Sequence, residues 1–412
     1  MGWPVNQEVM IQIDCDFHIH SRFSAATSKK MTLETISEGA HQKGLNVIAT
    51  GDALNKFWLE EIEELSFKNG LGEQNGCRFI VTTEVEDRNR VHHLILFRDL
   101  ESAHLLRGLV EDLSPDIDRD GRPHLRAGGE EIARACHESG ALVGPAHAFV
   151  PWTSVYKEFN TLKECYGSEK VDFLELGLSA DTSLASSISE LRGIPFLSNS
   201  DAHSASPHRL GREFNRLSVE KPSFEEIRKA LFGEDDRSII LNVGLDPRLG
   251  KYHRTACIKC YRHFSLKEAE GFGWRCPECR ARIKKGVFER TGELRDGPET
   301  MRPKYLRIAP LAEIISKVVG VKSVYSKKVN TLWTSLVEAN KSEIAVLLDA
   351  SIESIAEVDT AVAAAIKLYR EEKFTISEGG GGRYGEISFD LSKALPKQSK
   401  PLGRQQRSLD RF

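Results

Sequence analysis

The chain has 412 residues, enough for two or three domains with a substantial core, and its 40% hydrophobic and 28% charged content is ordinary for a soluble protein. No apolar run approaches a bilayer span, so no membrane is expected among its partners, and the opening MGWPVNQEVM has neither the basic nor the apolar region of an export signal. The net charge of −3 hides an asymmetry: residues 1–246 carry 26 Lys+Arg against 40 Asp+Glu, residues 247–307 carry 16 against 7, and residues 308–412 carry 15 against 13. An acidic first half joined to a basic block suggests a metal-rich site beside a surface for a polyanion.

The first apolar run, VMIQI, leads into DFHIHSRFS at residues 16–24. In an extended segment residues i and i+2 point to one side, so His18 and His20 project together with Asp16 below them. MTLETISEGAHQKG reads as a helix closed by glycine, and GLNVIATGD as a strand ending at Asp52. RFIVTTEV reads as a strand presenting Glu84. VHHLILF is another strand, and because adjacent residues face opposite ways, only one of His92 and His93 can serve the same site. After the helix GGEEIARACHESG, the strands ALVGPAH, VDFLELG and IPFLSNSD deliver His147, Glu175 and then Asp201 with His203, again at i, i+2. Glu175 is a candidate for supporting a ligand rather than being one. The helix SFEEIRKALFG completes the alternation, which predicts an α/β fold with a mainly parallel sheet and its chemistry at the carboxyl ends of strands.

Imidazoles mixed with carboxylates suit zinc, manganese and related ions. The candidate set is His18, His20, Asp52, Glu84, His92, His147, Asp201 and His203. So many ligands can hold two or three divalent ions (Zn2+, Mn2+ or Mg2+) with a bridging carboxylate, an arrangement that activates water against a phosphodiester. Of these, His18, His20, Glu84, His147, Asp201 and His203 are the residues expected to be catalytic. His41, His137 and His208 read as non-ligands.

The turn-rich LDPRLGKYH leads into CIKC and, 15 residues later, CPEC. Two knuckles, Cys257 with Cys260 and Cys276 with Cys279, have zinc-ribbon spacing and predict one closed structural Zn2+ site. Cys15, Cys77, Cys136 and Cys165 are scattered singly, which argues for a reducing compartment rather than a disulfide framework. The ribbon is rich in cations, Lys284 and Lys285 among them, and is expected to attract phosphates; Trp274 reads as ribbon core. LAEIISKVVG, VNTLWTSLVEAN and IAEVDTAVAAAIKLYREE read as helices. EGGGGRYGE follows, with glycines that would let main-chain N–H groups approach phosphates or would form a linker. The tail ends QQRSLDRF, in which Gln406, Leu409 and Phe412 keep the spacing of peptides that dock on a sliding clamp (PCNA). The expected divisions are 1–246 for the metal domain, 247–290 for the ribbon, 291–375 for a helical domain, 376–404 for a Gly-rich loop and flexible basic tail, and 405–412 for the clamp peptide.

DFHIHS, the Glu after a strand, the lone His after another and SDAH together resemble the PHP (polymerase and histidinol phosphatase) family of metal-dependent phosphoesterases, over roughly residues 10–240. The resemblance implies a distorted (β/α)7 barrel, followed here by the zinc ribbon and a small helical C-terminal domain. It selects His92 over His93 by motif position. It also exposes a departure: the family usually has Thr-Asp-His where this chain has Asp52-Ala53, so a customary ligand is missing, and either Asp52 compensates or one metal site is weaker or absent. The blocks TGDALN, TTEVEDRNRVHHLILF, GPAHAFVPWTSVY, SNSDAHS, PHRLGREFNR and LNVGLDPRLGKYH look like the endonuclease Q branch of archaea and some bacteria. That likeness implies a cytoplasmic, nucleoid-associated repair endonuclease using metal-activated water. It would cut double- or single-stranded DNA 5′ to uracil, hypoxanthine, xanthine or an abasic site, leaving 3′-OH and 5′-phosphate ends. Trp152, Tyr156, Arg209, Lys284, Lys285 and Arg383 are the expected DNA contacts, with Phe149, Trp152 and Tyr156 as candidates for wedging or stacking. The alternatives are a phosphatase of small phosphomonoesters and a non-catalytic scaffold on the clamp.

Overall fold

A computed structural model of the chain describes residues 9–388. Its first strand, Ile11–Asp16, is exposed for two residues and then wholly buried, because IQIDCD enters the middle of a sheet. It lies between Val47–Ala49, parallel, and Phe214–Val219, antiparallel. Val47–Ala49 pairs in parallel with Cys77–Ile80. At Val81 the chain changes sheets: Thr82–Glu86 pairs antiparallel with His92–Leu96, and that strand with Leu142–Pro145. RFIVTTEV thus holds two strands rather than one. The ring continues through Leu174–Glu175 and Phe196–Leu197, parallel to each other.

Side chains close the ring where backbone pairing stops. Asn215 accepts from Ser198 N through Oδ1 (2.8 Å) and donates through Nδ2 to Ser198 O and Asn199 Oδ1. Asn199 Oδ1 also accepts from Phe17 N (3.0 Å). Each buried polar group left unpaired at such a seam would cost about 1–3 kcal/mol. Phe17, Val47, Ile80, Leu94, Phe173 and Leu197, drawn from around the ring, share one buried cluster, each contributing roughly 1.5–3 kcal/mol of burial.

The outcome is the expected α/β fold, but the sheet is not mainly parallel. Parallel pairing is confined to strands joined by crossovers, whereas the hairpin Ser66–Lys68 with Leu71–Gln74, the Thr82–Leu142 sheet and the returning Phe214–Val219 and Ser238–Gly244 are antiparallel. The carboxyl rim gathers the polar residues. His18 and His20 follow the first strand, Asp52 follows Val47–Ala49, His147 follows Leu142–Pro145, and Asp201 follows Phe196–Leu197.

The ribbon is built on Ala256–Cys257 paired with Ile283–Lys284. It falls in sequence between Ser238–Gly244 and Lys304–Arg307, which pair in parallel at the edge of the eight-stranded sheet. The start of the segment expected to be helical therefore belongs to that sheet. Helices Leu311–Val318, Lys327–Asn340, Ile352–Val358 and Thr360–Arg370 follow. The third expected helix is two, because Asp359 is extended (φ −155°) and its Oδ1 accepts from Ala361 N and Val362 N, capping a fresh start. Lys43 joins the layers: its Nζ lies 2.7 Å from Glu343 Oε1, both side chains buried, while Glu343 also accepts from Leu311 N and Trp333 Nε1. Among the described residues no helix is long and apolar enough to cross a membrane.

Candidate metal centre

The extended backbone at His18–His20 is held by His20 N donating to Ala202 O (2.9 Å), so the two rings stand 5.2 Å apart on one side. Each ring is fixed from behind. His18 Nδ1 lies 3.0 Å from both oxygens of Glu175, which is itself held by Asn199 Nδ2 and His147 N. His20 Nδ1 lies 3.0 Å from Asp52 Oδ1. With Nδ1 engaged, Nε2 of each ring points forward. There the ligating atoms of His18, His20 and Asp201 lie within 4.8 Å of one another. His18 Nε2, His20 Nε2 and Asp201 Oδ1 are buried with no well-directed hydrogen bond to any group outside the set, His20 Nε2 lying 3.2 Å from Asp201 Oδ1. Imidazole and carboxylate atoms converging on one point fit a divalent cation.

A second group, Glu84, His92 and His147, adjoins the first. Glu84 Oε1 lies 2.9 Å from both His92 Nδ1 and His147 Nε2, and its Oε2 lies 3.3 Å from His20 Nε2 and 3.2 Å from Arg122. Glu84 thus spans the two groups, the position of a bridging carboxylate. Burial pushes the Glu84 carboxyl up, but the charges of His92 and His18 and the hydrogen bond with His147 outweigh it and hold it well below the usual range. Burial pushes His18 and His20 down, yet Glu175 and Glu84 around the first and Asp52 around the second raise both well above an ordinary histidine. So much clustered negative charge draws protons onto the rings; cations would meet the same demand.

Asp52, His147 and Asp201 share left-handed backbone, with φ of 53°, 32° and 47°. Aspartate and histidine enter that region more readily than most side chains, and its recurrence at three residues of one rim is typical of functional sites.

The expected ligands do not all arrive. Asp52 is corrected: its Oδ1 engages His20 from behind and its Oδ2 accepts from Ser21 N, Ser21 Oγ and Ser24 Oγ, so it orients a ring and stands outside both groups of converging atoms. Ala53 beside it is buried and inert. His203 packs edge-on against His20 with centroids 4.6 Å apart, and its Nδ1 is 3.8 Å from Asp201 Oδ1, at the margin of the first group. His92 faces the site, with Nε2 held by Glu86 (2.9 Å), while His93 turns to the opposite side, where Tyr166 and Asp87 meet it. Sequence reasoning passed over Glu86, although TTEVE places it at i+2 from Glu84. It also passed over Arg122, for which no periodic signal existed.

In the ribbon, the Cys257 and Cys279 sulfurs are 3.3 Å apart, those of Cys260 and Cys276 3.6 Å, and all four lie within 4.8 Å. Thiolates 2.3 Å from a tetrahedral zinc stand about 3.8 Å apart, so the set fits that ion. Burial raises the Cys257 thiol, but N–H donation from Cys260 and Lys259 brings it to about 6, which suits a thiolate ligand.

A cavity of about 790 Å³ separates the 149–160 loop from the ribbon, with Trp152, Tyr252, Arg282, Lys284, Lys285 and Arg290 on its walls. Trp152 is 54% exposed. Phe149 and Tyr156 are not free to wedge or stack: both are buried, stacked on each other at 5.1 Å, with the Tyr156 hydroxyl donating to Glu190. Arg209 and Arg383 are exposed, and Lys285 pairs with Glu293. The glycine loop is neither linker nor phosphate cradle. The N–H groups of Gly379, Gly380, Gly382 and Gly385 donate to Arg248, Arg383, Lys251 and Leu249 carbonyls, and a Cβ on Gly381 would fall 2.3 Å from Cys257 O. Its glycines let it dock on the ribbon backbone. Gln406, Leu409 and Phe412, with the rest of the tail from 389, lie outside the described residues.

Residues 310–373 match the family model described as the MJ0043 C-terminal domain. The chain is 48% identical to protein MJ0043 of Methanocaldococcus jannaschii over 255 residues, 60% of this chain, but spans only about a third (32%) of that relative. The crystal structure of a lesion-specific endonuclease from Pyrococcus furiosus is 51% identical and superposes with a TM-score of 0.90, covering 94% of this chain and 96% of that one. An endonuclease Q in complex with a 27-mer duplex substrate with an abasic lesion at the active site is 50% identical, with a TM-score of 0.88 over 94% of this chain and 99% of that one.

Proposed function

The chain belongs to the endonuclease Q family and is a metal-dependent DNA endonuclease, and on that premise we propose that it cuts DNA on the 5′ side of an abasic site, uracil, hypoxanthine or xanthine, leaving 3′-hydroxyl and 5′-phosphate ends. The observation that carries this reading is the convergence of buried His18 Nε2, His20 Nε2 and Asp201 Oδ1 on one point beside the spanning carboxylate Glu84. Two or three divalent ions held by these atoms with His92 and His147 would supply Lewis acidity to an attacking water and to the leaving oxygen.

The protein's own residues do the rest. Glu175 and Asp52 lock the His18 and His20 tautomers so that both Nε2 atoms face forward. Asp201 is 31% and His203 34% exposed in a set otherwise buried, so the phosphodiester approaches past them. The cationic wall of the cavity supports a track for the backbone, and Arg209 and Arg383, both exposed, are further candidates for it. The nucleotide to be read leaves the stack, which is cheapest where a lesion has already weakened pairing, and the 790 Å³ cavity has room for it beside Trp152. Phosphatase action on a small phosphomonoester is less favoured, because it leaves that cavity without a role. Gln406, Leu409 and Phe412 belong in this reading to a clamp-docking peptide, and removing residues 405–412 should abolish clamp binding while sparing nicking.

The test is an end-labelled duplex carrying one abasic site, uracil or hypoxanthine, incubated with each divalent ion and mapped at nucleotide resolution. A single nick 5′ to the lesion is expected. A fully metallated protein inert on every lesion would overturn the reading.

A further inference from the structure

Arg122 is a charged group that the metal set leaves unexplained. Its guanidinium is 27% exposed and lies 3.2 Å from Glu84 Oε2, the oxygen that also faces His20 Nε2. Its backbone is pinned on both sides. Gly121 N donates to Phe23 O, Arg122 N to Asp120 Oδ1, and Pro123 O accepts from Glu86 N at 3.0 Å. Gly121 is pressed so closely onto the cradle behind His20 that a Cβ there would fall 2.3 Å from Asp52 Oδ2 and 2.5 Å from Ser24 Oγ. Pro123 restricts Arg122 further, since the residue before proline is driven to extended conformations. The loop therefore delivers one guanidinium to the centre with little freedom.

A guanidinium is a poor neighbour for divalent cations unless an anion stands between them. The Glu84 oxygen that balances Arg122 is the one a cation at the His20 side would share. A phosphodiester brings one negative charge to that place, and its pentavalent transition state a second. Arginine presents paired N–H donors matched to two phosphate oxygens, which lysine cannot do.

We infer that Arg122 is a catalytic residue that turns from Glu84 to the non-bridging oxygens of the scissile phosphate and stabilises the charge that grows there. This rests on the endonuclease reading. The experiment uses the full-length protein, Arg122→Ala and Arg122→Lys, with duplexes containing a tetrahydrofuran abasic analogue. The 5′ linkage is either the natural phosphodiester or a neutral methylphosphonate, and binding is followed by stopped-flow anisotropy before nicking. The wild type should prefer the charged linkage over the neutral one, and Arg122→Ala should lose on the order of tenfold of that preference, the ions keeping the remainder. Nicking at saturating protein should fall about 100-fold in Arg122→Ala with metal content unchanged, added guanidinium restoring part of it, and Arg122→Lys should lie between. If Arg122→Ala misfolds, the Lys variant, which keeps a cation beside Glu84, decides by the same comparison. A variant that retains the wild-type preference for the charged linkage, or that sheds its metal, would overturn the inference and reduce Arg122 to a partner of Glu84. A wild type that nicks no lesion would fail the endonuclease reading itself, before any variant is tested.

Discussion

Lys284 carries a charge poised near neutrality, and its titration gives a quantitative test of the ribbon face. Burial in the cavity wall, with the positive charges of Arg282 and Lys251, pushes its ammonium down to about 8. Its Nζ sits 2.9 Å from the Trp152 ring centroid and 4.7 Å from that of Tyr252. If Lys284 meets a DNA phosphate, raising the pH from about 7 to 9 removes one contact. Each contact contributes about 0.9 to the slope of log affinity against log salt, so near 0.15 M salt its loss weakens binding about fivefold, or roughly 1 kcal/mol. Anisotropy of a lesion duplex across about 50–300 mM salt, at both pH values, reads this directly. The wild-type slope should shrink by about 0.9 at the higher pH, whereas Lys284→Gln should show the smaller slope at both. A wild-type slope indifferent to pH, or a Gln variant that still changes, refutes the reasoning. The shift also fixes the sign of a stability effect. Between about 8 and the ordinary 10.5 the unfolded chain holds a proton that the folded lysine has released, so stability should rise with pH through that window and be lowest below it.

Three further outcomes are expected. Glu175→Gln removes the charge behind His18 Nδ1 and should lower metal affinity at the centre by about 10- to 100-fold, read by titration with a chelating dye. Cys260→Ser breaks the four-thiolate set and should release one zinc per chain, with loss of DNA binding ahead of any change in barrel melting; zinc release on mercurial titration checks it. Lys43→Met strands the buried Glu343 carboxylate and should cost about 3–5 kcal/mol in urea unfolding, much of which Lys43→Met with Glu343→Gln should recover.

The legibility of the site in the sequence follows strand geometry. His18 with His20 was readable because a period of two survives folding where the backbone stays extended, whereas Asp201 is left-handed, so the same spacing leaves His203 only at the margin of the group. Asp52 carries the same strand-end signature as Glu84, and only the hydroxyls of Ser21 and Ser24, brought in by a turn, together with the back of the His20 ring, show that it faces away from the converging atoms. Tyr156 and Trp152 share one short block, and burial alone separates a core ring from an exposed one. The glycine loop could be read as a cradle or a linker, and its contact with ribbon carbonyls, distant in sequence, decides against both. Arg122 lies in a loop with no periodicity, held by contacts to residues 23–24 and 52 that no local pattern encodes.

Left-handed backbone at Asp52, His147 and Asp201 narrows what can replace them, since glycine, asparagine and aspartate enter that region more readily than branched or bulky side chains. Asparagine at Asp52 or Asp201 would keep the turn while removing the charge, whereas valine or isoleucine there would disturb the rim of the ring itself.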